Sequence, residues 1–316
     1  MAPLPTSVAS STKFLAQLSE ARRLRAELPR SSSPLCDELT LDGPQWREAT
    51  DQLATALVSA LGMEDRPLER LHGALEQFSA RDDAHKRVMA AKRALLLPLA
   101  SDSPAASAFV EAYDCFVCSV VAPHVAEALR TSEVSQGRSP SHLGSLYYAA
   151  FPTLRVQTPS LSRATIRPHF DGMYDLPEGS INFWMPLSEV SEPSALWIES
   201  SPPVEAQHTR LPREDHFHPL CLPTRFDGRS KIHFTIPNRS RRTRVSLDFR
   251  VVPGHNFDES ARLSRLGYYS RADALPSDAL ELDGAAAAPS ATFIKAASGR
   301  VSKLHGLPHS VAPVEM

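Results

Sequence analysis

Arg242-Thr-Arg-Val-Ser-Leu-Asp-Phe-Arg250 alternates without a break: Arg242, Arg244, Ser246, Asp248 and Arg250 form one set, Thr243, Val245, Leu247 and Phe249 the other. Side chains on a strand point to opposite faces in turn, so the stretch predicts a strand with one polar and one apolar face. The pattern recurs around His233, where Lys231, His233 and Thr235 oppose Ile232, Phe234 and Ile236, and again in Leu154-Arg-Val-Gln157. An antiparallel sheet with one solvated face would alternate in the same way. It would not contain Ile181-Asn-Phe-Trp-Met-Pro-Leu187 or Ala195-Leu-Trp-Ile-Glu199, whose aromatic and aliphatic content argues for strands buried on both faces, as in a double-layer barrel. In a barrel the polar inner face is a site, and the apolar outer face needs a cover.

The upstream sequence offers that cover. Before about residue 145 the periodicity is helical, over residues 14–28, 45–61, 66–97 with a break, and 106–129. Asp65 ahead of Arg66-Pro-Leu-Glu69 reads as a helix start, and residues 131–141 read as a polar hinge. The expected fold class is therefore α+β, with a jelly-roll braced by N-terminal helices. The expected organisation is a helical support in residues 1–144, a catalytic core in 145–255 and a C-terminal extension in 256–316, with a flexible connection at 283–289.

Composition narrows the function classes. Of the 316 residues 42% are apolar and 22% charged, and a formal net charge of −2 gives no global field for nucleic acid or an anionic membrane. The basic cluster Arg239 to Arg244 has no stacking aromatics interleaved with it, which argues against a nucleic-acid surface. No apolar run reaches the roughly 20 residues that span a bilayer, so no membrane is expected and the partner is a small-molecule substrate. Cys36, Cys115, Cys118 and Cys221 are few and scattered, which fits a reducing, cytoplasmic setting and places Cys115 and Cys118 on a buried helix face. The Ser/Thr-rich start has the composition of an organelle transit peptide, but it reads equally as the opening of an amphipathic helix.

Candidate chemistry centres on His169-Phe-Asp171. Two residues apart on a strand, these side chains share a face, and His233 completes a two-histidine, one-carboxylate set with three metal positions open. Taken singly, each is an ordinary turn or surface residue. Arg244, eleven residues after His233, shares its face with Ser246 and suits a bidentate clamp on a small dicarboxylate. This ordered set points to a non-haem iron oxygenase using 2-oxoglutarate. Asn182 is a candidate contact for co-substrate or substrate, or a buried Asn satisfied by backbone. Arg155, Gln157 and Arg167 are candidates for holding a polar or acidic substrate, or rim ion pairs; Arg241, Arg242 and Arg250 read as ordinary solvated or ion-paired strand residues. His208, His216, His218 and Cys221 crowd one segment, yet its charged and Pro-rich surroundings read as an exposed insert, with residues 207–218 placed to act as a lid rather than a zinc site.

The runs Phe151 to Gln157, His169-Phe-Asp171, Pro177 to Leu187, Leu196 to Ser200, His233 to Asn238 and Thr243 to Arg250 together resemble a family of iron(II)/2-oxoglutarate oxygenases of streptomycin-type antibiotic biosynthesis. More distantly the layout is similar to the phytanoyl-CoA hydroxylase group, which carries these elements on a double-stranded β-helix. The resemblance covers about residues 145–255. It implies Fe(II) on His169, Asp171 and His233, the distal carboxylate of 2-oxoglutarate on Arg244 and Ser246, and O2 as oxidant, with succinate and CO2 as products. It also implies hydroxylation over halogenation, because halogenases of this type lack the carboxylate that Asp171 supplies. The implied substrate is a small polar metabolite such as an amino acid, sugar or aminocyclitol derivative. Gly172-Met-Tyr-Asp-Leu176 departs from the more polar stretch of relatives, so the substrate's identity does not transfer. Two other readings are an inactive cupin-like binding module and a metal-dependent hydrolase or isomerase, and neither requires the Arg244 clamp. A homodimer through the first-half helices is a further expectation.

Overall fold

The computed structural model describes residues 11–27, 34–76, 96–101, 103–137, 143–161, 164–174, 176–200, 217–265, 267–274 and 293–295. Its strands are β1 (Leu39–Thr40), β2 (Ser145–Ala149), β3 (Thr153–Gln157), β4 (Ile181–Pro186), β5 (Leu196–Glu199), β6 (Phe217–Leu220), β7 (Thr224–Phe226), β8 (His233–Thr235), β9 (Arg244–Pro253), β10 (Tyr269–Ala274) and β11 (Phe293–Lys295). The longer helices are α1 (Thr12–Arg25), α2 (Pro44–Ala60), α3 (Pro104–Phe116) and α4 (Ala122–Ser135). An eight-stranded sheet runs β1-β7-β4-β9-β2-β10-β11 with β3 also on β9, and a three-stranded sheet runs β6-β5-β8. Every pairing is antiparallel. β9 is the organising strand: β4 lies along one edge, and β3 and β2 share the other end to end.

Alternation in β9 sorts the molecule into layers. Val245, Leu247, Phe249 and Val251 join Phe183 and Met185 of β4 in one core with Trp46, Leu53 and Leu57 of α2 and Phe109 and Phe116 of α3. Phe183 stacks on Phe249 at 5.4 Å, Trp46 stacks on Phe183 at 6.0 Å, and Tyr113 and Phe116 meet Phe249 edge-on. The smaller sheet has its own cover: Leu18 and Ala21 of α1 pack on Trp197, Phe217 and Phe234. Between the sheets lies a third cluster, in which Trp184 and Phe226 of the large sheet meet Leu196, Ile198 and Leu220 of the small one. The two sheets thus face each other, and the polar set of β9 enters the space between them.

Local signals explain the helix ends. Ser103 caps α3 by accepting from the Ala106 N–H at 3.1 Å, with Pro104 at the first helical position, where a missing N–H costs nothing. α3 continues into α4 through a π turn, Val117–Val121. Pro123 has no N–H to offer and its ring crowds the carbonyl four residues back, so the turn widens there.

Several expectations need adjustment. The large sheet does not stop at residue 255, since β10 pairs with β2 and β11 with β10. Residues 104–135 form one helix of 32 residues whose most apolar 18-residue window has a mean hydropathy of 1.5, long and apolar enough to span a bilayer, whereas the sequence reading found no such run; 56% of that window is buried, as in a core helix. Cys118 is buried and Cys115 exposed, so the pair does not share a buried face. Most of the helix expected over 66–97, the connection at 283–289 and the first ten residues lie outside the described residues.

On the helix side of β7, the buried Arg225 guanidinium donates to His124 Nε2 at 3.1 Å, so that nitrogen accepts and the ring is neutral. Burial first, and then the Arg225 charge, pull the His124 pKa down to about 4. The unfolded chain binds a proton on this histidine near pH 6.5 that the folded chain refuses, so stability is full above 6.5 and is lost as the pH falls towards 4. The slope is about 1.4 kcal/mol per pH unit for one such proton. Denaturant unfolding of wild type and His124→Gln between pH 4 and 7 is expected to show that slope reduced in the variant; equal slopes would remove His124 from the account.

Candidate metal centre

His169 and His233 are brought together by a single antiparallel bridge, with His169 N–H donating to the His233 carbonyl at 3.2 Å and His233 N–H to the His169 carbonyl at 2.8 Å. Their rings lie 4.2 Å apart. Nδ1 of His169 is 2.9 Å from the Arg167 carbonyl, and Nδ1 of His233 is 2.9 Å from the Lys231 carbonyl. A carbonyl only accepts, so each Nδ1 carries the proton and each Nε2 presents its lone pair. Asp171 Oδ1 lies 3.7 Å from the first Nε2 and 3.8 Å from the second. All three residues are buried, and among the described residues they form the group of potential metal ligands whose donor atoms fall within 4.8 Å of one another.

Asp171 does not share a strand with His169. The bridge ends after His169, and Asp171 opens a 3-10 turn, Asp171–Tyr174, whose first N–H groups donate to the carbonyls of Gly228 at 2.7 Å and Arg229 at 3.2 Å. The turn beyond β7, not strand register, brings the carboxylate to the imidazoles.

Arg250 grips that carboxylate with both arms, Nε on Oδ2 and Nη2 on Oδ1, each at 2.8 Å. Asn182 donates to Oδ2 from Nδ2 at 2.6 Å. Oδ2 is fully engaged, so Oδ1 is the oxygen that faces the imidazoles, and the carboxylate is set up as a one-oxygen ligand. Burial alone would raise the Asp171 pKa, but the Arg250 charge and the two histidines outweigh it and hold the carboxyl below the usual range. Burial, helped by the neighbouring His233, pulls the His169 pKa down to about 3, which keeps it a neutral ligand. Two imidazole nitrogens and one carboxylate oxygen suit Fe(II), and they also accept other first-row dications.

Arg250 was passed over in the sequence as an ordinary strand residue; its signal was its place in the same alternating set as Arg244 and Ser246. Asn182 donates to the Asp171 carboxylate through Nδ2, while its buried Oδ1 has no partner among the described residues. Beyond it, a Cβ on Gly228 would fall 2.3 Å from Asn182 Nδ2 and 2.6 Å from its Oδ1, so the glycine leaves the room that the amide occupies.

Arg244 is wholly buried on the inner face. Its Nη1 donates to Ser246 Oγ at 2.5 Å, while Nε and Nη2 donate to Gln157 Oε1 at 3.2 and 2.8 Å. Gln157 in turn donates to the Ile236 carbonyl at 2.8 Å, so it positions Arg244 and is spent as a substrate contact. The Trp184 ring lies 5.9 Å from the guanidinium, and its buried indole N–H has no partner among the described residues. Desolvation lowers the Arg244 pKa to about 10, which leaves it charged at neutral pH.

The remaining candidates separate. Arg155 pairs with Asp248 at 2.8 Å inside the site. The Arg167 side chain is exposed and, among the described residues, reaches only the Tyr174 hydroxyl at 3.5 Å, although its carbonyl fixes His169. His218 starts no zinc site: Nε2 lies 2.6 Å from Glu38 Oε1, which also accepts from Lys231 on its other oxygen, and Nδ1 lies 2.9 Å from Ser200 Oγ. His208, His216 and residues 207–216 of the expected lid lie outside the described residues.

No family model matches the chain. The streptomycin biosynthesis protein StrG of Streptomyces griseus is 28% identical over 131 residues, which is 39% of this chain and 59% of that protein. The chain therefore spans well under two thirds of the relative it matches. Among solved structures, the nickel complex of the non-heme monooxygenase ThoJ matches with 14% identity over 74% of this chain and 78% of its own, at a TM-score of 0.34. The alpha-ketoglutarate-dependent epimerase SnoN of nogalamycin biosynthesis matches with 14% identity over 69% and 93%, at a TM-score of 0.32. AviO1 from Streptomyces viridochromogenes Tue57 matches with 14% identity over 79% and 87%, at a TM-score of 0.26. Scores this low establish no common fold, and the assignment of the site rests on its own geometry.

Gly228→Ala is expected to push Asn182 off Asp171 and weaken Co(II) binding by about 10- to 100-fold. Asn182→Ala should do the same by removing the bond directly, and the double variant should lose little more than either alone. Co(II) titration followed by absorbance measures all three; fully additive losses would show that Gly228 does not act through Asn182.

Proposed function

We propose that this chain is an Fe(II)/2-oxoglutarate-dependent dioxygenase on a double-stranded β-helix, and that it hydroxylates a small polar metabolite. The observation that carries the reading is the placement, between the same two sheets, of a two-histidine, one-carboxylate donor set and a buried Arg244 backed by Ser246. His169, His233 and Asp171 would hold the iron through Nε2, Nε2 and Oδ1. Arg244 and Ser246 would hold the distal carboxylate of the co-substrate, and Gln157 keeps the guanidinium fork aimed. The Trp184 N–H is a spare donor for the same ligand. With iron bound, the centre supplies oxidative decarboxylation of 2-oxoglutarate to succinate and CO2, coupled to attack by O2-derived oxygen on a C–H bond.

The protein's own contribution is positional. Arg250 and Asn182 restrict Asp171 to one oxygen, which leaves coordination positions for a bidentate keto-acid and O2. The facing apolar cluster of Trp184, Leu196, Ile198 and Phe226 excludes water from the neighbourhood. A hydrolase or an inactive binding module would have no use for Arg244, whose burial without a carboxylate partner is costly unless a ligand uses it. The partial likeness to StrG supports a place in secondary metabolism.

Anaerobic addition of Fe(II) and 2-oxoglutarate is expected to produce a visible charge-transfer band. Arg244→Lys, which keeps the charge but loses the fork, should raise the 2-oxoglutarate concentration needed to form the band by about 10-fold or more. Folded protein that binds Fe(II) and gives no band would contradict the proposal.

A further inference from the structure

Three candidates for a substrate contact project from strands or turns around the centre, and the structure leaves only one of them with unused hydrogen-bonding capacity inside. Gln157 is committed to Arg244 and Ile236, and the Arg167 side chain is exposed at the rim. Arg155 differs. Its side chain is 19% exposed and is tied at Nε to Asp248 Oδ2, while its two terminal amino groups have no partner among the described residues. It sits on β3 directly opposite Ser246, one inward-facing position from Gln157. Its charge is felt by both His169 and Arg244, in keeping with its place on the strand beside the clamp.

The charges in this space point the same way. Arg155, Arg244 and Arg250 face Asp171 and Asp248, three positive groups against two negative. A dication and a dianionic co-substrate would cancel each other and leave that excess unchanged. A partly buried guanidinium without its full set of acceptors is unfavourable, and an anion is the group that relieves it.

We propose that the primary substrate carries an anionic group, a carboxylate or a phosphate ester, and that Arg155 receives it through its terminal amino groups. This rests on the oxygenase reading above and names the substrate class for that site. Asp248 then serves to hold the Arg155 head in place, and the C–H bond to be attacked lies within a short reach of the anion. Arg250 and Arg244 remain committed to Asp171 and to the co-substrate.

The test uses protein loaded anaerobically with Fe(II) and 2-oxoglutarate, with acetate and inorganic phosphate as probes for the two anion sources. Calorimetric titration is expected to show one of them binding to the loaded wild type, and binding about tenfold or more weaker in Arg155→Gln, with partial recovery in Arg155→Lys. Because Arg155→Gln leaves Asp248 unpaired, Arg155→Gln with Asp248→Asn is measured alongside as the charge-balanced variant. In both, the 2-oxoglutarate dependence of the charge-transfer band should match wild type. The proposal is overturned if neither probe binds the loaded wild type, if both bind the variants equally well, or if the variants lose affinity for 2-oxoglutarate itself. A wild type without any band would instead sink the oxygenase reading.

Discussion

The structure depends on the two-residue alternation of β9. Its odd-numbered residues from Val245 to Val251 enter the core shared with the helices, and its even-numbered residues from Arg244 to Arg250 enter the space between the sheets. A slip of one residue would exchange the two sets, placing two arginines and an aspartate in the aromatic core. Packing of Phe249 against Phe183, Tyr113 and Phe116 therefore fixes the register that aims Arg244 and Arg250. Stability and site geometry are set by opposite faces of one strand.

That dependence explains what was legible beforehand. Period-two alternation is local, so the strands around Arg155, His233 and Arg244, and their polar inward sets, follow from neighbouring residues alone. Partners across the fold do not. Arg250 and Asp171 are 79 residues apart and Asn182 reaches Asp171 from a third element, so their contacts depend on how strands and a turn meet. The turn at Asp171 was misread as strand because His-x-Asp satisfies the alternation either way. The seat for Asn182 left by Gly228 has no sequence signal, since a glycine in a turn is ordinary.

Electrostatics ties these pieces together. Buried carboxylates and guanidiniums persist only when paired, and here the pairings have direction. Asp171 is divided between Arg250 and Asn182 on one side and the imidazoles on the other, Asp248 restrains Arg155, and Gln157 restrains Arg244. Each restraint leaves a defined set of donors or lone pairs turned towards the same interior: two imidazole nitrogens, one carboxylate oxygen, a guanidinium fork and an indole N–H. The arrangement is preorganised, because its groups are held by neighbours that are themselves held.

The central claim is that this interior places a metal and a keto-dicarboxylate together. Diffraction from crystals soaked anaerobically with Mn(II) and 2-oxoglutarate, with anomalous scattering to locate the metal, tests it most directly. The account predicts one metal on His169 Nε2, His233 Nε2 and Asp171 Oδ1, with Asp171 Oδ2 still held by Arg250 and Asn182 and a ligand carboxylate on Arg244 and Ser246. Metal bound elsewhere, Asp171 chelating through both oxygens, or an Arg244 that ignores the ligand would contradict it.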